Sequence, residues 1–369
     1  MDPSPPTPLH DQDFHNILLW MPNWIGDVVL ALPALQSLRK KYPHARITAV
    51  TKKPSDEILF YHPAIDTVLT MPSQENSGLL NKVRFARTLR KYRFDLGVVF
   101  PNSIQSAILL VLAGPKNRLG YNTEGRELFL THALPVTSRE KIAEYRVNYY
   151  FNILAPLKLD PPEMAFDSLK TRKADRSVQE ILETIGLEEN DFLIVLAPGA
   201  SKPQRGWHAE RYGILCQKLA KEYRVKFILL GSKADTALLE NIRKFCPPDT
   251  AHILSGLHLR DIAALLETSR LFIGNDSGMI HLAAMMNSPV VGIFGPGSPG
   301  TSGPFIDPER QEMVTKNYPC SPCRQRFFRD CKPSPHNKPY CLEDIGVKDV
   351  SEAVGRILQK TAPRELVKK

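Results

Sequence analysis

The stretch Asn16–Leu35, NILLWMPNWIGDVVLALPAL, decides the fold. Its first part, Asn16–Pro22, is an apolar run of strand length that ends on proline. From Val28 onward the apolar residues Val28, Leu32, Leu35 and Leu38 recur at helical spacing. A strand, a turn carrying Gly26 and then a helix form the unit from which helix-covered parallel sheets are built. The alternation continues, with strands expected at 46–51, 66–71 and 94–100 and helices at 82–92 and near 104–112. FDLGVVF, Phe94–Phe100, is the near-continuous apolar run of a strand covered on both faces.

The segment 156–176 is rich in Pro, Lys and Asp and reads as a linker. After it the alternation restarts. Strands are expected at 192–197, 226–231, 251–254, 271–274 and 290–294, and helices at 209–223, 236–245, 259–269 and 279–286. The expected class is α/β, two doubly wound Rossmann-like domains facing a central cleft, with ligands beyond the carboxyl ends of the strands. The boundaries read as a disordered lead-in at 1–15, a first domain at 16–165, a linker at 166–185, a second domain at 186–347 with a cysteine-rich loop at 318–341, and a C-terminal helix and tail at 348–369.

A chain of 369 residues suits two domains, and 43% hydrophobic with 24% charged residues is an ordinary globular balance. No run reaches the roughly 18 apolar residues of a membrane helix. The opening MDPSPPTPLHDQDF carries acids where a secretory signal carries basic residues, so a cytoplasmic protein is expected. The net charge of +9 favours anionic partners. Lys82, Arg84, Arg87, Arg90, Lys91 and Arg93 fall within twelve residues free of acids. At helical spacing Arg84, Arg87 and Lys91 share one face, which is either solvated or set against an anionic surface. No nucleic-acid motif accompanies them, so nucleic acid is the weaker partner.

Four stations could carry chemistry. In Pro22–Asp27, Gly26 permits a tight turn and Asp27 opens a helix, either as a cap or first-turn acid or as a carboxylate aimed at a substrate. The GxGxxG fingerprint of dinucleotide enzymes is missing there. In Ala197–Trp207, APGASKPQRGW, small residues, a hydroxyl and cations precede a helix, as suits a phosphate or an ordinary loop. In Gly274–His281, GNDSGMIH, Asp276, Ser277 and Gly278 sit at a helix mouth with His281 one turn inside. Finally, Cys320, Cys323, Cys331 and Cys341 read as a structural zinc site or as free thiols rather than disulfides, with His336 a spare ligand.

Taken in order, NWIGDVVLALPAL, PGASKPQRGW and GNDSGMIHLAAMMNSPVVGIFGP resemble glycosyltransferase family 9, the bacterial heptosyltransferases, over roughly residues 16–350. PNSIQSA (Pro101–Ala107) and RLGYNTEGR (Arg118–Arg126) are more like the second heptosyltransferase than the first. The resemblance implies the GT-B architecture, an acceptor-binding first domain and a nucleotide-sugar-binding second domain. It implies inverting transfer of heptose from ADP-heptose to the lipopolysaccharide inner core, with an anionic lipid A–Kdo acceptor at the inner-membrane surface and no cofactor required for catalysis. By position, Asp27 is similar to the family's base, and Ser201 and Arg205 to its diphosphate contacts, although the family usually has Lys where this chain has Arg205. Asp276, Ser277, Gly278 and His281 resemble the donor-binding helix mouth; Leu257 falls where adenine packs and Asp235 where ribose is reached. Asn102, Arg118, Arg84, Arg87 and Lys91 are the expected acceptor- or membrane-facing residues. The alternatives are a nucleotide-sugar epimerase of the same fold or a family 9 transferase using another sugar.

Overall fold

The computed structural model describes residues 8–60, 62–72, 78–137, 140, 143–163, 172–188 and 191–361. The chain divides into two compact units, Met1–Asp167 and Ser168–Lys369. Parts of the expected lead-in (1–7), linker (164–171) and tail (362–369) lie outside the described residues.

The first unit is built on β1 Asn16–Trp20, β2 Arg46–Thr51, β3 Thr67–Thr70, β4 Leu96–Val99, β5 Asn117–Tyr121 and β6 His132–Leu134. They form one parallel sheet in the order β3-β2-β1-β4-β5-β6. β4 is buried end to end and β1 nearly so, whereas the edge strands β3 and β6 are half-buried. The apolar runs seen in the sequence are therefore the strands covered on both faces. Residues 8–15, expected as disordered, instead pack: Leu9 and Phe14 are buried, and the Phe14 ring meets Tyr42 edge-on at 5.5 Å.

The second unit repeats the plan with β7 Phe192–Ala197, β8 Val225–Gly231, β9 Ala251–Ser255, β10 Leu271–Asn275, β11 Val290–Ile293 and β12 Gln311–Val314. Its order is β12-β11-β10-β7-β8-β9, again parallel. Counted from its own first strand, this is the same 3-2-1-4-5-6 order as in the first unit. In each sheet the order reverses beside the first strand, between β1 and β4 and between β7 and β10, and that switch opens a crevice at the carboxyl ends. The C-terminal helix Val347–Thr361 closes the second core through Val350, Val354, Ile357 and Leu358.

Two expectations are corrected here. Part of the expected linker is a helix, Arg172–Thr184. The basic helix expected at 82–92 is α-helical only over Leu79–Thr88; Leu89–Tyr92 is a tighter 3-10 turn ending at a left-handed Arg93 (φ 51). The tighter turn rotates Lys91 off the face shared by Arg84 and Arg87. Among the described residues no helix is long and apolar enough to cross a membrane.

Candidate active site

At the first switch point, β1 runs through residues 21–24 into the helix Ile25–Lys41. Asp27 is the third residue of that helix, and the capping position belongs to Trp24, which makes no side-chain cap. Asp27 is thus not the cap. Its half-buried carboxylate hydrogen-bonds the Tyr150 hydroxyl on the helix Arg146–Asn152. Burial, then the Asp27 charge, push Tyr150 well above the usual phenol range, so Tyr150 stays protonated and donates. The Arg146 guanidinium lies 5.1 Å from the Tyr149 ring, and its charge is felt at Tyr150. Trp24, beside the acid, is 70% exposed.

Beyond β4, Ser103 caps the helix Ile104–Ala113, accepting from the Ser106 N–H. The preceding residue, Asn102, donates from Nδ2 to the Tyr149 hydroxyl at 2.7 Å, and its carbonyl accepts from Thr123 at 2.8 Å. Beneath this turn Arg126 is fully buried. It donates to the Tyr121 carbonyl at 2.6 Å, the Pro101 carbonyl and Ser106 Oγ at 3.4 Å, clamping the ends of β4 and β5 together. Burial pulls its pKa down to about 10. Arg118 does not reach this edge: it lies near the amino end of β5, with its guanidinium on the Phe129 and Pro115 carbonyls.

At the second switch point, the loop after β7 and the turn after β10 are tied together. Asn275 donates to the Pro198 carbonyl at 2.7 Å and accepts from the Trp207 N–H at 3.0 Å. Arg205 Nη2 donates to the Asp276 carboxylate at 2.7 Å and to its carbonyl at 2.8 Å. Asp276, expected as a donor contact, therefore holds Arg205 in place. Burial raises the Asp276 pKa, and the Arg205 charge offsets part of the rise. Around the pair three buried polar atoms have no partner among the described residues: Arg205 Nε, Ser277 Oγ and His281 Nδ1. Burial, then Arg205, bring His281 down to about 4, so it is neutral near pH 7. Ser277 occupies the cap position of the helix Gly278–Met285 without capping it. Buried polar atoms left open beside a helix mouth suit an incoming anion.

The remaining donor candidates lie around the ends of the same sheet. Ser201 is exposed in the loop after β7, and Leu257 is half-buried after β9. Asp235, expected at a ribose, spends Oδ2 on the N–H (2.8 Å) and hydroxyl (2.6 Å) of Ser232, as the third-position partner in a capping box whose cap is Ser232. A Cβ on Gly199 would meet that oxygen at 3.2 Å. Arg84, Arg87 and Lys91 are all exposed, with Lys91 over the Tyr92 ring at 5.1 Å. All six cysteines are free thiols. Burial pushes the Cys341 thiol up to about 12. Among the described residues no three His, Cys, Asp or Glu side chains stand close enough together to hold a metal ion. His336 instead hydrogen-bonds Glu343 at 3.0 Å.

Tyr150, Arg146 and the Arg205–Asp276 pair escaped the sequence reading. The first two sit on a short helix without a motif, and the pair becomes visible only when β7 and β10 are known to be neighbours.

The profile of the family described as Glycosyltransferase family 9 (heptosyltransferase) matches residues 82–330. The lipooligosaccharide heptosyltransferase 2 of Haemophilus ducreyi is 28% identical over 305 residues, 78% of this chain and 86% of that protein. The lipopolysaccharide heptosyltransferase 2 of Escherichia coli K12 is 26% identical over 320 residues, 82% of this chain and 89% of that protein. Among solved structures, the E. coli ADP-heptose lipopolysaccharide heptosyltransferase II shares the fold with a TM-score of 0.75 at 22% identity, over 94% of this chain and all of that one (100%). A family 9 glycosyltransferase of Veillonella parvula does so with 0.79 at 21% identity, over 95% of this chain and 99% of that one. With its doubly wound GT-B domains and the family profile running from the basic helix to the cysteine loop, the chain belongs to glycosyltransferase family 9.

Proposed function

We propose that the chain transfers a heptose, with inversion, from ADP-heptose to the lipopolysaccharide inner core. The observation that carries this is the pair of unlike switch points: a carboxylate held by a tyrosine in one unit, and an arginine with unpartnered polar atoms at a helix mouth in the other. In this reading Asp27 accepts the proton of an acceptor hydroxyl as that oxygen attacks the anomeric carbon. The bond to ADP breaks on the opposite face. Arg205, Ser201, Ser277 and the Gly278 amide take the charge that grows on the diphosphate, with Leu257 and Asp235 toward the nucleoside. Those donors supply the positive charge a catalytic metal would otherwise bring, so no cofactor is assigned to the chemistry. The epimerase alternative is set aside because the relatives named above are heptosyltransferases.

The acceptor side is proposed at Asn102 and Trp24. The exposed Arg84 and Arg87, with Leu79 at 63% and Leu80 at 81% exposure on the same helix, suit the anionic cytoplasmic surface of the inner membrane. Salt-sensitive sedimentation with anionic but not neutral vesicles, lost in Arg84→Glu/Arg87→Glu, is the expected result.

The test of the central reading is Asp27→Asn. Transfer from ADP-heptose to a heptose-free core acceptor should fall by about 10²–10⁴-fold, the usual worth of a positioned base. ADP should still raise the melting temperature, and more than UDP or GDP does. Near-normal turnover in the variant would remove Asp27 from the chemistry.

A further inference from the structure

Two cysteines that the proposed reaction does not use meet in the second unit. The helix Ala209–Glu222 follows β7 and the helix Thr236–Arg243 follows β8. They join β7 to β8 and β8 to β9, parallel neighbours in one direction across the sheet, and right-handed crossovers put both on the same face. Their buried sides share one core, through Leu215, Cys216 and Leu219 on the first helix and Leu239 and Ile242 on the second. Gly213 stands inside the first helix, where glycine is a poor helix former. The neighbouring chain explains it. A Cβ on Gly213 would stand 2.3 Å from the Phe245 Cβ and 3.1 Å from the Ile242 carbonyl oxygen. Gln217 closes the junction, donating from Nε2 to the Phe245 carbonyl at 2.6 Å.

Cys216 lies on the same side of its helix as Gly213 and Gln217, and Cys246 directly follows Phe245. The close backbone approach brings the two thiols into hydrogen-bond contact. Cys216 is fully buried. Cys246 is half-buried and also donates to the Ile242 carbonyl at 3.5 Å. Their surroundings set them apart. Burial, then the neighbouring Cys246, holds the Cys216 thiol well above the usual range. The Cys216 S–H, given to the Cys246 sulfur, lowers the Cys246 pKa and so favours its thiolate. A thiolate-prone sulfur near solvent, with a second sulfur behind it, is the arrangement of an attacking and a resolving cysteine. Across a disulfide the Cβ atoms stand about 3.5–4.5 Å apart, a spacing that needs backbones packed as closely as these.

We propose that Cys216 and Cys246 are a modification site, forming a reversible intramolecular disulfide when the chain meets a peroxide. The Cys246 thiolate attacks one peroxide oxygen. A sulfur–oxygen bond forms, the oxygen–oxygen bond breaks, and the other oxygen leaves as hydroxide, which takes up the proton Cys246 had released. The Cys216 sulfur then attacks the sulfenic sulfur of Cys246. The sulfur–sulfur bond forms, the sulfur–oxygen bond breaks, and the hydroxyl leaves with the Cys216 proton as water. The two thiols lose two electrons and the peroxide gains them. The bond ties two helices, one entered from the 197–207 loop and the other from the Ser232–Asp235 turn. Its sulfurs lie two turns inside the first helix and past the end of the second, so it joins the helices without using either loop. It also stops Cys246 short of the irreversible sulfinic acid. The pair stands whether or not the second crevice binds a nucleotide.

The test is peptide mass mapping of the full chain, reduced, desalted, treated with a small excess of hydrogen peroxide and then blocked with iodoacetamide. The peptides carrying Cys216 and Cys246 should appear linked, lighter by two hydrogens than their sum, and dithiothreitol should separate them. Cys216→Ser should drive Cys246 on to the sulfinic acid at the same dose. Cys246→Ser should leave Cys216 a thiol, because it is buried. Should either variant fail to fold, the wild-type map still decides. Three wild-type results overturn the proposal: Cys246 ending as sulfinic acid, Cys246 linked to any cysteine other than Cys216, or both thiols intact at a dose that oxidises the exposed Cys320 and Cys331.

Discussion

Replacing Tyr150 with Phe removes one hydroxyl from behind the proposed base and leaves the rest of the ring in place. The ring keeps its edge-on contacts with Phe100 (6.0 Å) and Tyr149 (5.6 Å). What is lost is the hydrogen bond to the Asp27 carboxylate. A hydrogen bond to a charged group contributes about 1.5–3 kcal/mol, and one pH unit corresponds to about 1.4 kcal/mol. The bond favours the ionised carboxylate, so its removal makes the base easier to protonate. The acid limb of kcat/KM should therefore move up by about one to two pH units. Above that limb, kcat should stay within a few-fold of wild type, because the base is still present. The assay is ADP release during transfer, measured across pH with donor and acceptor saturating and then limiting. A purely structural tyrosine would lower stability or raise KM without moving the limb. An unmoved limb in a folded variant refutes the positioning role, and a variant as inactive as Asp27→Asn at every pH refutes it differently, by giving Tyr150 a part in the chemistry.

Gly297→Ala should weaken ADP binding by about 10- to 100-fold, because its Cβ would fall 2.2 Å from the Asp276 carboxylate that holds Arg205; Gly300→Ala, whose Cβ meets nothing nearer than 3.7 Å, is the control that should bind normally in calorimetry. His281 takes its proton at 6.5 when unfolded and at about 4 when folded, so its contribution is fully present above pH 6.5 and is lost as pH falls toward 4. It amounts to about 3 kcal/mol. His281→Gln should flatten the loss of denaturant stability across that window, and an unchanged slope would contradict the burial of the ring. Arg126→Leu should cost about 3 kcal/mol or more in urea unfolding, since three carbonyl or hydroxyl acceptors lose a buried cation at once.

The sheet cores were legible because β1, β4, β7, β10 and β11 are covered on both faces and so read as unbroken apolar runs. β5, β6 and β12 were not. NRLGY, HAL and QEMV are short and carry polar residues, because these strands lie at or beside the sheet edge. The helix from Leu259 was readable from its periodicity, whereas Arg172–Thr184 was hidden in a stretch whose Pro and Lys content suggests a linker. At the site, motif position singled out Asp27 and Arg205 as candidates. It left open the local partners of Asp276 and Arg118, since a motif does not say whether a side chain faces a ligand or a neighbour. That question is settled by strand adjacency for Asp276 and by position along β5 for Arg118.

The two switch points show how one topology can present opposite charges. A buried cation near a base would neutralise it, and a buried anion near a diphosphate would repel it. In the first unit the buried cation, Arg126, is spent on backbone carbonyls and a hydroxyl, while Asp27 is bonded to a neutral phenol. Asp27 thereby keeps a carboxylate's capacity to take a proton. In the second unit the buried anion, Asp276, is spent on Arg205, which it holds through the single nitrogen Nη2. The neutral His281 adds no competing charge. On the proposed assignment of base and diphosphate, each unit hides the charge that would spoil its task behind a partner that does not consume the useful one. Asp276→Asn separates this account from a simple ion pair. If Asp276 only balanced charge, its neutral replacement would leave a more cationic site that binds ADP better; if it positions Arg205, affinity falls.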